Sequence, residues 1–326
     1  MVSLERIEAL PKVELHAHLS GSVSQEFLAA RSPEFRPVDV VGPRSLGKCF
    51  EYFRAVSRVI VDLPGLAAST RHVVSAFAAE ECVYLELRTT PKRLGAATEV
   101  EYVETVRRVA AEFELDVKLL LSLDRGTVGS LEEALARVKR LADLATAFPD
   151  FVVGIDVCGD PRVKTLVPYV LPALEHLSPR LPLTIHTGEI RDDEEVRAIL
   201  NADIDLRRLG HACFLPEDIM IDERRNFTIE LCPTSNLVAM NLADLTDHHF
   251  TDVRHLPVRL SVNTDDRGLF NCSLSSELHD LAVAFDLSWD DLVDLQRQAI
   301  RAAFHPDTDS LLAAFESKLA ALDDDE

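Results

Sequence analysis

Eight short, near-continuously apolar segments alternate with amphipathic ones along this 326-residue chain, and that alternation predicts a closed (β/α)8 barrel, or TIM barrel. Two further observations support closure. The residues able to carry chemistry fall at the C-terminal ends of the apolar segments, where such a barrel gathers them into one mouth. The Gly-rich phosphate turn expected after the first strand of an open doubly wound sheet, the runner-up architecture, is missing.

The first strand is read at 13–19, VELHAHL. Amphipathic helix follows at 24–30, and the Pro/Gly-rich passage 32–47 reads as loop. Segments 48–61 and 67–79 repeat apolar residues at three- and four-residue spacing and predict helices, with Ser69-Thr70 as candidate caps of the second. The rhythm then becomes regular. Strands are expected at 83–88, 116–123, 151–157, 183–186, 206–211, 226–231 and 258–262. Helices are expected between them at 100–113, 131–147, 166–177 and 193–200. The passage between the first two strands and the helices after Ser273 are insertions on the barrel. Ser288 with Asp291 has the capping-box pattern and opens a C-terminal helix. With no internal repeat and no linker, residues 1–326 read as a single domain.

Lys and Arg number 34 against 55 Asp and Glu, a net charge of 34 − 55 = −21, which argues against nucleic acid as a partner but not against a small anion met by local basic residues. No apolar run reaches the roughly 18 residues of a membrane span. The N-terminal residues carry both charge signs and lack a signal-peptide core, so a cytoplasmic protein is expected. The six cysteines show no disulfide or C-x-x-C spacing and read as reduced, mostly buried thiols. Residues 323–326 read as a solvated, frayed tail. The sequence does not set the oligomeric state and is compatible with a monomer.

His16 and His18 are two residues apart, so on a strand both imidazoles face one point. The other strand ends carry Thr89-Thr90, Asp124, Cys158-Gly159-Asp160, His186-Thr187-Gly188-Glu189, Gly210-His211, Cys232 to Asn236, and Asn263-Thr264-Asp265-Asp266. Each has a plainer reading alone. His186 could be a core histidine, Gly210-His211 and Asp265-Asp266 could be turns, and Glu189 could open the next helix. Their joint placement on barrel ends favours a site. His16, His18, His186 and one aspartate offer three nitrogens and one oxygen, a set that suits zinc and is compatible with iron, cobalt or manganese. Glu189, His211 and Asp266 remain for proton transfer and orientation around an activated water. His72, His176, His279 and His305 fall in helices or their ends and read as structural or surface residues. The adjacent pair His248-His249 does not share a face and is not read as a ligand pair.

The segments LPKVELHAHL (10–19), HTGE (186–189), GH (210–211) and TDD (264–266) together resemble the adenosine deaminase family, in family order and over nearly the whole chain. The resemblance implies a zinc barrel that hydrolyses the 6-amino group of a purine, with one Zn2+ per chain held by His16, His18, His186 and Asp265. It further implies that Glu189 protonates purine N1, that His211 is the base that helps deprotonate the water, and that Asp266 holds the attacking hydroxide. Gly159 is expected to meet purine N3 through its backbone. The fourth strand lacks the lysine of binuclear relatives, hence the single metal.

Within the family the segments LELRTTPKR (85–93), LLSLDR (120–125), GHACF (210–214) and HHF (248–250) are most similar to the adenosine deaminase-like branch, which converts N6-methyl-AMP to IMP and methylamine. That branch implies His18, Ser20, Thr89, Thr90, Pro91, Lys92, Asp124, Gly159 and Asp266 as substrate contacts. Two positions depart from it. Ser20 stands where the branch has asparagine and adenosine deaminase proper has aspartate, and Ser57 aligns with a branch histidine. A carboxylate at position 20 would repel a 5′-phosphate, whereas serine can donate to one. Lys92, Arg93 or Arg125 could add positive charge there, or could be solvated surface charges. Adenosine is the alternative substrate. Free adenine, aminodeoxyfutalosine and a non-catalytic barrel that only binds ligand are the remaining readings.

Overall fold

The computed structural model describes residues 2–38, 46–220 and 227–324. Eight strands form one sheet in sequence order: β1 (Lys12–His18), β2 (Cys82–Thr89), β3 (Asp116–Asp124), β4 (Val152–Cys158), β5 (Leu183–Thr187), β6 (Leu206–His211), β7 (Thr228–Leu231) and β8 (Arg259–Val262). Every neighbouring pair is parallel. The β1–β8 seam closes at its C-terminal end by backbone bonds around one residue. His18 N–H donates to Asp265 O at 3.0 Å, and Asp265 N–H donates to His16 O at 2.8 Å. The barrel expected from the sequence is therefore the fold, and its seam lies at the candidate site.

Helices cover the outer face because the strands bury both faces. Leu131–Ala147 has the bounds expected, and Ser288 and Asp291 form the expected capping box that opens Trp289–Ala302. The insertion after β1 contributes Gln25–Arg31, Leu46–Val59 and Leu63–Ala78. The last of these starts earlier than its periodicity suggests. Asp62 caps it by accepting from Gly65 N–H at 2.7 Å, while Ser69 and Thr70 sit mid-helix and donate back to Leu66 O. Pro64 in the first turn explains the early start, since its missing N–H costs nothing there. The expected helix 166–177 is a widened turn, Leu166–Val170, followed by Leu171–Leu174, because Pro168 and Pro172 interrupt the ladder. Ser3 caps a helix that periodicity missed, Leu4–Ala9. Part of the expected loop 32–47 (residues 39–45), Asn226 of the seventh strand and residues 325–326 of the tail lie outside the described residues.

The barrel interior is ionic as well as apolar. Tyr84, Glu86 and Arg88 alternate on the inner face of β2. Arg88 pairs with Asp156 at 3.0 Å and Glu230 at 3.1 Å, and Arg208 pairs with Glu230 at 2.6 Å and also with Glu86. All five of these charged side chains are fully buried. Buried charges persist only when paired and hydrogen-bonded, and this network runs up to the histidines at the mouth. None of the six cysteines forms a disulfide, and Cys158 and Cys272 are partly exposed. Among the described residues no helix is long and apolar enough to cross a membrane.

Candidate metal centre and active site

β1 delivers His16 and His18, β5 delivers His186, and the turn after β8 delivers Asp265. One donor atom from each lies within 4.8 Å of the others. His186 Nε2 is 3.1 Å from Nε2 of both His16 and His18, and Asp265 Oδ1 is 3.4 Å from each of those two nitrogens. Donors about 2.0–2.1 Å from one tetrahedral zinc lie about 3.3 Å apart, so the spacing fits an ion between them.

The hydrogen bonds behind the rings support the same reading. His16 Nδ1 is 2.7 Å from Glu230 Oε2, and His186 Nδ1 is 3.0 Å from Val157 O and 3.0 Å from Asp156 Oδ1. Facing acceptors, each Nδ1 carries a proton, so each ring in its neutral form turns its Nε2 lone pair towards the common point. Such an arrangement is repulsive alone and attractive around a cation. Burial pulls His18 down to about 3 despite Asp265, keeping it neutral as a ligand must be. Burial and Arg88 also pull His16 down, but Glu230 and Asp265 outweigh them and hold it at about 9, so an arriving ion displaces a proton there. Burial would raise Asp265, and the hydrogen bond and charge of His16 overcome it, leaving the carboxyl well below the usual range. Ser235 Oγ donates to Asp265 Oδ2 at 2.7 Å.

Glu189, His211 and Asp266 line the same cavity, about 550 Å³ in volume. Glu189 Oε2 and Asp266 Oδ1 are buried with no hydrogen-bond partner among the described residues. Burial raises the Glu189 carboxyl, and burial with the charges of Asp265 and Glu189 raises Asp266 well above the carboxylate range. A Cβ on Gly21 would lie 1.6 Å from Asp266 Oδ1, so a side chain at position 21 would displace that carboxyl. His211 and Asp265 both hold left-handed backbone conformations, φ 64° and 56°, which a non-glycine residue adopts at a cost. A second donor grouping, His211 with Cys232, shares Asp265 with the first and so competes for one carboxylate.

Of the expected substrate contacts, His18, Ser20, Thr89, Thr90, Lys92, Asp124 and Gly159 line the cavity. Gly159 has φ 106°, and a Cβ there would meet Asp124 Oδ1 at 2.2 Å, so the chain approaches closely only as glycine. Pro91 does not line it: the residue is buried at a separate crevice beside Leu141 and Leu144. Two of the basic residues considered for positive charge also fall elsewhere. Arg125 is fully buried, pairs with both Glu195 oxygens at 3.0 Å and donates to His186 O at 2.7 Å, so it braces the site from below. Arg93 is exposed on a different groove with Glu99.

The sequence reading named Lys92 at the mouth but missed Arg54 and Arg58 beside it. Phe50, Phe53, Arg54, Ser57 and Arg58 share one face of helix Leu46–Val59 and line the cavity. Lys92 Nζ reaches Ser57 Oγ at 3.4 Å. Among the described residues Arg54, Arg58 and Lys92 make no ion pair, unlike Arg71, Arg140 and Arg197, which are met by Glu112, Glu99 and Asp218. Also missed were Glu230 and Asp156, which orient the histidines. The spacing of residues 50 to 58 was readable as a helix face, but which wall it forms was not.

A (β/α)8 barrel carrying this donor set at its C-terminal mouth, with the buried carboxyls of Glu189 and Asp266 beside it, defines a barrel hydrolase with a candidate metal centre. The chain belongs to the adenosine deaminase family: the family model described as Adenosine deaminase matches residues 11–316. It is 34% identical to the N6-mAMP deaminase of Arabidopsis thaliana, over 93% of this chain and 95% of that protein. It is 30% identical to the human N6-Methyl-AMP deaminase, over 92% and 90% respectively. Among solved structures it superposes on Arabidopsis ADAL complexed with IMP with a TM-score of 0.83 at 34% identity, covering 96% of this chain and 98% of that one.

Proposed function

We propose that this chain is a zinc-dependent deaminase that hydrolyses N6-methyl-AMP to IMP and methylamine. Water adds at purine C6, the C6–N6 bond breaks, and the amine leaves with a proton. His16, His18, His186 and Asp265 would hold one zinc ion, which when bound lowers the pKa of water towards neutrality. Glu189, raised by burial, holds a proton for ring N1 and so makes C6 electrophilic. Asp266, unpartnered at Oδ1 among the described residues and beside the donor set, is placed to accept the proton of the attacking water. The charge of a bound ion would oppose the upward push of burial, Asp265 and Glu189 and keep it ionised. His211 faces the same point, and the Gly159 backbone and Asp124 border the space for the purine and ribose. The unbridged thiols suit a reducing compartment, and a cytoplasmic location is part of this reading.

The observation that carries the nucleotide over the nucleoside is the rim of Arg54, Arg58 and Lys92, without acidic partners among the described residues in a chain of net charge −21. Unpaired cations at the mouth of an acidic protein suit an anionic substrate group. Ser20 adds a neutral donor where a carboxylate would repel. The test compares kcat/KM for N6-methyl-AMP, AMP and adenosine with zinc-loaded enzyme. The methylated nucleotide is expected to be the best of the three, and a preference for adenosine over both nucleotides overturns the reading.

A further inference from the structure

The donors behind His211 can be followed atom by atom, and they place its proton. Phe250 N–H donates to His248 Nδ1 at 3.1 Å, and a backbone amide can only donate. Neutral His248 therefore carries its proton on Nε2; burial and the neighbouring His249 push its pKa down to about 2 and keep it neutral. That Nε2–H donates to Asn236 Oδ1 at 3.1 Å. Cys232 N–H donates to the same atom, also at 3.1 Å. Two separate donors thus identify the atom as the amide oxygen, and the amide nitrogen faces His211 Nδ1 at 2.9 Å. An NH2 group has no lone pair to offer, so His211 Nδ1 accepts. The proton of neutral His211 then sits on Nε2, the nitrogen 3.9 Å from Asp265 Oδ2. Asn236, His248 and His211 are all buried, so water does not substitute for these partners.

His16 and His186 show the reverse arrangement. Their Nδ1 atoms face acceptors, which frees Nε2 for an ion. His211 Nδ1 faces a donor, which occupies Nε2 with hydrogen. The same accounting separates His211 from the ligand set and argues against the competing grouping with Cys232. His249 Nε2 lies 2.9 Å from the carbonyl oxygen of His211, an acceptor, and so pins the backbone at its left-handed turn. The pair His248-His249, set aside above as ligands, clamps His211 at its ring, through Asn236, and at its backbone.

We propose that Asn236 and His248 are positioning residues that hold His211 with Nε2–H directed at the reaction centre, so that His211 serves as a hydrogen-bond donor and not as the base. A base at Nε2 would need the proton on Nδ1, where it would meet the Asn236 NH2 head-on. A fixed donor beside C6 stabilises the negative charge that the water oxygen takes on as it gives up its proton. The water's proton then passes to Asp266. This role differs from the one the family resemblance implies, and it rests on the reading of the site as a deaminase centre.

The test uses zinc-loaded protein labelled with 15N-histidine and two-bond 15N–1H spectra, with the His211 signal identified by its loss in His211→Gln. Wild type is expected to show the Nε2–H form. Asn236→Asp replaces the donor by an acceptor and is expected to switch His211 to Nδ1–H, to lower kcat about 100-fold and to move KM by less than about threefold. A wild-type His211 in the Nδ1–H form overturns the proposal, as does a switched tautomer with kcat unchanged. If Asn236→Asp does not fold, the wild-type spectrum decides alone. The spectrum needs no substrate, so its failure leaves the deaminase reading standing, and failure to turn over any purine leaves the tautomer result standing.

Discussion

Glu230 Oε2 lies 2.7 Å from His16 Nδ1 with both side chains fully buried. The same carboxylate pairs with Arg88 at 3.1 Å and Arg208 at 2.6 Å and accepts from Thr184 Oγ1 at 2.9 Å. One residue therefore sets the tautomer of a candidate ligand and neutralises two core arginines. Glu230→Gln keeps the shape and removes the charge. It is expected to weaken zinc about 10- to 100-fold through the loosened ring, and to cost roughly 3–5 kcal/mol because Arg88 and Arg208 each lose one of their two carboxylate partners. Chelator competition and urea unfolding read the two effects separately. Unchanged zinc affinity would sink the orienting role.

Glu189→Gln removes a carboxyl whose hold on its proton burial strengthens. Turnover is expected to fall about 10²- to 10⁴-fold with zinc content unchanged by elemental analysis. In wild type the acid form is complete below the raised pKa and is lost as pH rises through it. The kcat/KM profile should therefore decline on its alkaline side. Activity within tenfold of wild type in the variant would show that another group donates the proton.

Arg54→Ala and Arg58→Ala each remove a rim cation without touching the donor set. A charge-assisted hydrogen bond is worth about 1.5–3 kcal/mol, so KM for N6-methyl-AMP should rise roughly 10- to 100-fold in the variant that loses a phosphate contact. Weak turnover of adenosine should stay the same, because it has no phosphate to lose. Arg93→Ala, on a different groove, is the control. An equal loss for nucleotide and nucleoside would mean that the rim shapes the mouth rather than reads charge.

Glu277 gives a stability signature away from the reaction centre. It is fully buried, accepts from Thr234 N–H at 2.9 Å, and burial raises its pKa to about 7. An unfolded glutamate titrates near 4.3. Between those values the folded chain holds a proton that the unfolded chain has released. Its contribution is thus fully present below the unfolded pKa and is lost as pH rises through about 7. The loss amounts to roughly 3 kcal/mol by the linkage relation. Urea unfolding of wild type and Glu277→Gln at pH 5 and pH 8 measures it. Parallel stability profiles for the two proteins would remove Glu277 as the source.

The barrel was legible because a parallel strand buried on both faces writes itself as a local apolar run, and eight such runs in order leave few closures. The donor set was legible for a related reason. His16, His18, His186 and Asp265 each fall at the end of such a run, so closure alone brings them together. The partners behind them were not legible. Glu230 is 214 residues from His16 and reads locally as a charge inside a short strand. Arg125 reads as an exposed cation until Glu195, 70 residues on, is folded against it. Arg54 and Arg58 sit in an insertion whose periodicity names its faces but not the wall it joins. The protonation of His211 was out of reach altogether, since it depends on which end of the Asn236 amide meets which backbone donor. Sequence alone determined the architecture and which residues stand at the strand ends, because both follow from patterns only a few residues long. Tertiary structure decided where the protons and counter-charges sit, because those depend on contacts of about 3 Å between segments that share no local pattern.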